Sequence, residues 1–433
     1  MTPQLTRRAL LACAAASLGL PGVALAAPRV LRAEPVTARL LDDATPTEML
    51  GLNGTTPGPE LRAVQGGRLK LRFENRIGAP SALHWHGIRI ANAMDGVPGM
   101  TQDAVPDGGD FDYAFDLPDA GTFWYHSHSR SWEQVEQGLY GALIVEERDP
   151  PAVDHDVTVM LDDWRLEPGG ALAGGFGNRH DFAHAGRLGN WAAAEPSMTE
   201  VRRSDRVRLR LINAATARVF PVRTGGLAGK VVALDGMPLP EPRALGDLVL
   251  APAQRVDVIA DVTDTVRFAV PTRDGRFELG RIAVAGDNPA PLHGPIPALP
   301  PARVASPGAP AHSLTLTMQG GAMGGRHGGD DIWSFNGVSG MTDTPFATIR
   351  RGETARIRLV NETSWPHGIH LHGHHFHEVG ADGTPADLRD TTLLNRGETR
   401  EIVCVFDNPG RWLLHCHMLG HLAAGMKTWV DVT

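Results

Sequence analysis

Cysteine is nearly absent: the 433 residues contain three, Cys13, Cys404 and Cys416. Cys13 falls in an N-terminal stretch with export-signal features, and Cys416 sits between two histidines, where a free thiolate is wanted. No disulfide framework is therefore available. Cys404 lies in the apolar run Ile402-Val403-Cys404-Val405-Phe406 and reads as a small buried hydrophobe. Beyond the N-terminus no apolar run is long enough to cross a membrane. Positive charge is also in deficit, with 41 Lys and Arg against 49 Asp and Glu and a formal net charge of −8. No basic block follows the N-terminus, so nucleic-acid binding finds no support. Long helical patterns are missing as well. Gly (50) and Pro (33) are plentiful, and the apolar segments are short and rich in Val, Ile and Leu, as in many strands joined by turns.

What is present begins with Thr6-Arg7-Arg8-Ala9-Leu10-Leu11, followed by an uncharged run to Pro28 and a small-residue cleavage pattern at Ala24-Leu25-Ala26. Residues 1–26 read as a twin-arginine signal peptide, which implies the twin-arginine export machinery and a periplasmic or otherwise exported mature protein. Gly19, Pro21 and Gly22 interrupt the apolar run and argue against a spanning helix. That route carries folded proteins, which suits a metalloprotein.

The length suits two or three domains. Three similar runs, Leu69–Asn75, Val207–Asn213 and Ala355–Asn361, alternate apolar and polar residues and end on Asn. They mark an internal repeat, most economically three copies of one β-sandwich. The expected units are 27–150, 151–288 and 312–433, with the Pro- and Ala-dense stretch 289–311 as a linker. The middle unit has no paired His motif; its His155, His180 and His184 read as surface residues or supports.

Ten of the 19 histidines fall in four blocks: His84/His86, His126/His128, His367/His370/His372 and His415/His417/His421. The last block also holds Cys416 and Met426. Soft thiolate and thioether together with imidazoles form a copper ligand set. On an extended strand, His415 and His417 point to one face and Cys416 to the other, so one peptide segment serves two metal sites. The same parity separates His367 from His370 and His372. His367, Cys416 and His421 with axial Met426 then make a mononuclear centre, and the other eight imidazoles suffice for a three-metal cluster. That cluster belongs at the interface of the first and third units, and the mononuclear centre inside the third.

The segments Leu83-His84-Trp85-His86-Gly87, Trp124-Tyr125-His126-Ser127-His128, His367-Gly368-Ile369-His370-Leu371-His372-Gly373 and His415-Cys416-His417 through Met426 resemble the four copper motifs of three-domain multicopper oxidases, the laccase and copper-efflux oxidase superfamily. Asn53-Gly54-Thr55-Thr56-Pro57-Gly58-Pro59 and Asp407-Asn408-Pro409-Gly410-Arg411-Trp412 fit too. The resemblance implies an all-β chain of three cupredoxin-like Greek-key sandwiches and four coppers. His367, Cys416, His421 and Met426 would hold the type 1 copper, and His84 and His370 the type 2 copper. One type 3 copper would take His86, His126 and His417, and the other His128, His372 and His415. The implied reaction is one-electron oxidation of a small reductant at the type 1 copper coupled to reduction of dioxygen to water.

Smaller features refine this expectation. Asp95 either forms an Asp-Gly turn or serves as a proton relay. A second family acid is replaced by Leu422, and an efflux-oxidase Asp and Met by Thr363 and Trp365. The axial Met426 points to a low-to-middle redox potential. His374, His375 and His377 read as structural. The Gly-rich stretch around 320–329, with Met318, Met323 and Asp330 nearby, reads as a surface loop, with delivery of cuprous ion as the rival role. Phenols and aromatic amines are the expected donors, entering through an exposed edge of His367 or His421, and cuprous ion is the alternative. A copper-free structural role is disfavoured by the full ligand set, and a nitrite reductase by the eight extra imidazoles.

Overall fold

The computed structural model describes residues 29–41, 45–292, 294–322 and 331–433; the expected signal peptide and residues 323–330 of the Gly-rich stretch lie outside them. The three repeated runs form the strands Arg68–Asn75, Arg206–Asn213 and Thr354–Asn361. Each lies parallel to the opening strand of its unit, Arg29–Ala38, His155–Trp164 or His312–Gly320. Each also pairs antiparallel with a later strand, Asp110–Asp116, Arg255–Thr272 or Thr399–Val405.

The closing asparagines explain why the repeat ends as it does. Asn75 Nδ2 donates to the carbonyls of Ala79 and Val105 at 2.7 and 2.9 Å. Asn213 does the same to Arg218 and Leu250 at 2.8 and 2.9 Å, and Asn361 to Trp365 and Asn395 at 2.7 and 2.9 Å. All three are buried. Each amide thereby bridges two backbone carbonyls of segments that follow its strand.

In the first unit a four-stranded sheet, containing Arg29–Ala38 and Arg68–Asn75, packs on a second four-stranded sheet containing Leu83–His86 and Gly121–Ser127. Leu71 and Phe73 from one sheet meet Trp85, Tyr125 and Leu143 from the other. The third unit pairs a six-stranded with a five-stranded sheet around Leu359, Ile402, Leu371, Trp412 and Leu414. The middle unit differs: its strands join in one nine-stranded network. The long strands Phe220–Leu234 and Arg255–Thr272 shift register between Gly225 and Leu227, as strands do where a bulge lets them pass between layers. Residues 288–292 and 294–311, within and beside the expected linker, contain no strand or helix.

The middle repeat departs from simple alternation: all eight residues of Arg206–Asn213 are buried. Its charged face lies against the first unit instead of water. Arg208 donates to Glu147 at 2.9 Å and to Asp257 at 2.7 Å, and Arg210 to Thr122 at 2.9 Å and to Asp156 at 2.6 Å. Buried guanidinium groups persist because every one is paired and hydrogen-bonded. The middle unit is thereby fixed to the first through the Arg208–Glu147 ion pair and the Arg210–Thr122 hydrogen bond. Among the described residues no helix is long and apolar enough to cross a membrane.

Candidate metal centre

Two strand pairs deliver the histidines. Leu83–His86 runs antiparallel to Gly121–Ser127 with His84 opposite His126. His367–Leu371 runs antiparallel to Gly410–Cys416 with His370 opposite His415 and Ile369 opposite Cys416. Alternation then sorts the faces as the strand parity requires. Cys416 Sγ lies 3.6 Å from His367 Nδ1 and 3.7 Å from His421 Nδ1, and the two nitrogens are 3.1 Å apart. On the other face His415 Nε2 stands 3.0 Å from His372 Nε2, and His417 Nε2 stands 3.4 Å from His126 Nε2. Met426 is buried and held beside Cys416 by its backbone: its N–H donates to His421 O at 2.9 Å and its carbonyl accepts from Cys416 N at 3.1 Å.

Hydrogen bonds fix which nitrogen of each ring is bare. The Nδ1–H groups of His84, His126, His370 and His415 donate to the carbonyls of Asp95, Ser127, Asp390 and Cys416 at 2.8 to 3.0 Å. His372 Nδ1–H donates to Asp95 Oδ2 at 2.9 Å. Each of these rings turns an Nε2 lone pair inward. At the Cys416 centre the order is reversed. His421 Nε2–H donates to the carbonyl of His184 at 2.7 Å and His367 Nε2–H to Thr363 Oγ1 at 2.8 Å, which leaves both Nδ1 lone pairs facing the thiol.

The close contacts His367–His421 and His372–His415 therefore hold bare nitrogens with no proton between them. His84 Nε2, His86 Nδ1, His128 Nε2 and His370 Nε2 are buried without any partner. Lone pairs so confined repel unless a cation lies between them. Two metal–imidazole bonds of about 2.0 Å at tetrahedral to trigonal angles span roughly 3.3–3.6 Å between nitrogens, close to the distances found. The donor set and its spacing fit copper.

Mutual proximity and burial also set protonation. Burial and the neighbouring imidazoles hold His86, His128, His370, His372 and His417 well below the ordinary histidine range. His126 is likewise low, chiefly through burial. Burial lowers His415 to about 3 and His421 to about 4. It pushes the Cys416 thiol up to about 12, so only a bound cation would make it a thiolate at neutral pH.

The nitrogen nest is continuous. His128, His372 and His415 form one triplet; His84 joins both His370 with His372 and His86 with His126. His84 stacks on His372 at 3.9 Å and His86 on His370 at 3.8 Å, so rings from the first unit interleave with rings from the third. A cleft of about 460 Å³ reaches this nest at His128, with Arg130, Trp132, Arg411, Lys427 and the apolar Leu422 in its wall.

Neither imidazole of the Cys416 centre has an exposed edge. His367 and His421 are both 0 % exposed, which corrects the expectation of a solvent-facing histidine. The middle unit provides the cover. The short helix Arg179–Ala183 and His184 lie over His421: Trp333 Nε1 donates to Phe182 O at 2.5 Å and Ala322 N to Ala183 O at 2.7 Å. The His184 ring meets Trp365 edge-on at 5.3 Å. His184 thus supports the centre through its carbonyl, which no side-chain pattern could announce.

Asp95 is buried and does two things at once. It precedes Gly96, whose φ of +82° and approach to Leu83 O, 1.7 Å from where a Cβ would stand, require glycine. Its carboxylate also bonds His372, tying the first unit to the third. Asp390 was not legible beforehand. It is fully buried, with Oδ1 3.1 Å from His86 Nε2, and its position beside the cluster comes from a chain return 20 residues after His370. His374 donates to His372 O, and His377, at the surface, to Ala386 O; His375 lies 3.7 Å from Asp390. Cys404 is buried with its thiol on His375 O.

Sequence profiles of the multicopper oxidase family match residues 35–150, 155–283 and 309–433. The solved structure of Lac15 from a marine microbial metagenome is 56% identical, with a TM-score of 0.83 covering 94% of this chain and 100% of that one. Multicopper oxidase MmcO of Mycobacterium tuberculosis is 31% identical, covering 88% of this chain and 82% of its own. A copper resistance protein A homolog of Pseudomonas syringae pv. tomato is 26% identical, covering 88% of each. This all-β chain of cupredoxin-like sandwiches is an oxidoreductase that belongs to the multicopper oxidase family.

Proposed function

We propose that the protein is a laccase-like oxidase that couples one-electron oxidation of phenolic or aromatic-amine donors to four-electron reduction of dioxygen to water. In this reading four coppers are held. His367, Cys416, His421 and Met426 bind type 1, His84 and His370 type 2, and His86, His126, His417 with His128, His372, His415 the type 3 pair. Bound copper supplies electron acceptance at the first centre and dioxygen reduction at the cluster.

The chain's own residues organise the rest. Cys416 shares a backbone with His415 and His417, which gives the two sites a covalent connection. Asp95, bonded to His372, stands where protons consumed by the reaction are needed, and Leu422 offers no second acid. The cleft at His128 is the access route assigned to dioxygen. Export through the twin-arginine machinery to the periplasm completes the reading.

The surroundings of the type 1 imidazoles carry the choice of donor. Their outward nitrogens meet a threonine hydroxyl and a backbone carbonyl, with Phe182, Trp333 and Trp365 about them. That wall suits an aromatic donor. A cuprous ion asks for thioether or carboxylate ligands instead. Met318 is buried, and Met341 lines the His128 cleft. The likeness to a copper resistance protein favours cuprous oxidation as the second reading. Dioxygen uptake by the copper-loaded mature protein, with a methoxyphenol and separately with chelated cuprous ion, decides between them. Faster turnover on the phenol without added copper is expected; faster turnover on cuprous ion would overturn the assignment.

A further inference from the structure

The middle unit supplies none of the ten histidines, yet one of its side chains reaches the cluster through a single carboxylate. Arg255 Nη1 and Nη2 donate to Asp390 Oδ1 and Oδ2 at 2.9 and 2.5 Å. Asp390 Oδ1 in turn accepts from His86 Nε2–H at 3.1 Å and from Thr391 Oγ1 at 2.8 Å. The backbone carbonyl of Asp390 accepts from His370 Nδ1–H at 2.8 Å. Arg255 also donates to Thr122 O in the first unit at 3.1 Å, and to Ala253 O and Asp235 O in its own, both at 2.9 Å. Arg255, Asp390 and His86 are all 0 % exposed.

We infer that Arg255 and Asp390 are positioning residues for the copper cluster, and that the middle unit is there to aim it. The chemistry is that of a carboxylate–histidine pair. Asp390 accepts the hydrogen bond of His86 Nε2–H, which selects the tautomer that leaves Nδ1 bare, and Nδ1 is the atom found buried without a partner. The same residue fixes the tautomer of His370 through its carbonyl. A carboxylate held by the histidine alone could rotate. The two parallel N–H groups of Arg255 hold it in one plane. Three units thus meet in one chain of hydrogen bonds: Arg255 from the middle, Asp390 from the last, His86 from the first.

The inference rests on the copper assignment above and is tested on the full mature chain. Asp390→Asn keeps the shape and removes the charge; Arg255→Lys keeps the charge and removes the fork. Arg243→Gln is the control, because Arg243 pairs with Asp387 across the same two units, exposed and away from the cluster. Copper content, the blue thiolate absorption and the near-ultraviolet band of the coupled pair are measured during dialysis against a chelator.

Asp390→Asn should lose cluster copper about 10- to 100-fold more readily than the unaltered protein. The blue band should persist, Arg255→Lys should fall between the two, and Arg243→Gln should match the unaltered protein. Retention of cluster copper by both variants, or parallel loss of the blue band and cluster copper, would overturn the inference. If Asp390→Asn fails to fold, Arg255→Lys alone decides by the same ratio of bands. Absence of a near-ultraviolet band in the unaltered protein would instead defeat the four-copper reading.

Discussion

At the scale of single residues, neutrality of the buried rings is the property with the widest consequences. Their folded values lie below the ordinary imidazole value of about 6.5, with His421, His374 and His375 at about 4 and His415 at about 3. An unfolded chain therefore binds more protons than the folded one between those limits, and stability rises with pH across that window. Buried Glu136 and Glu195, pushed up to about 7, Asp235, pushed up to about 6, and Asp162 and Asp163, also raised by burial, act in the opposite sense, but the lowered rings outnumber them. Metal-free protein should lose stability as pH falls from about 6.5 towards 4, followed by tryptophan fluorescence; a flat profile there would contradict the burial of neutral rings. Cys416→Ser should abolish the blue absorption and electron uptake from donors while leaving the near-ultraviolet band of the cluster, since His415 and His417 face the other way.

At the scale of elements, the three Asn-ended strands are one device used in three settings. Removing the amide takes a buried donor from two backbone carbonyls, a cost of about 1–3 kcal/mol each time. Asn213→Ala should show that loss in denaturant unfolding and nothing else. Asn361→Ala should also move the type 1 spectrum, because Asn361 Oδ1 accepts from Thr363 Oγ1 at 2.8 Å and Thr363 holds His367. An unchanged blue band in Asn361→Ala would separate the loop from the centre. The repeat was legible because strand periodicity and its closing residue are local. The burial of Arg206, Arg208 and Arg210 was not, because alternation says which face is polar and leaves open whether that face meets water or another unit.

At the scale of the whole molecule, the cluster is a joint. Its rings come alternately from the first and third units, so copper should staple the two ends of the chain. Binding that favours the folded state by a hundredfold excess over Kd contributes about 2.7 kcal/mol. Copper loading should accordingly raise the unfolding temperature, and chelation should lower it and admit protease near the expected linker at 289–311. Equal stability with and without copper would argue that contacts such as the Arg208–Glu147 ion pair already lock the units.

The sequence by itself determined the candidate ligands and how they sort between two faces: ligand type follows from softness, and facing follows from the two-residue period of a strand, both readable within a few positions. It also determined the threefold repeat. Only the tertiary structure decided which ring nitrogen is bare, that the His184 carbonyl caps His421, that His367 and His421 have no open edge, and that Arg255 and Asp390 stand behind the cluster. Those facts depend on groups brought together across 135 residues between Arg255 and Asp390, and 304 between His86 and Asp390. A backbone carbonyl or a buried carboxylate carries no local periodicity that would mark its partner in advance.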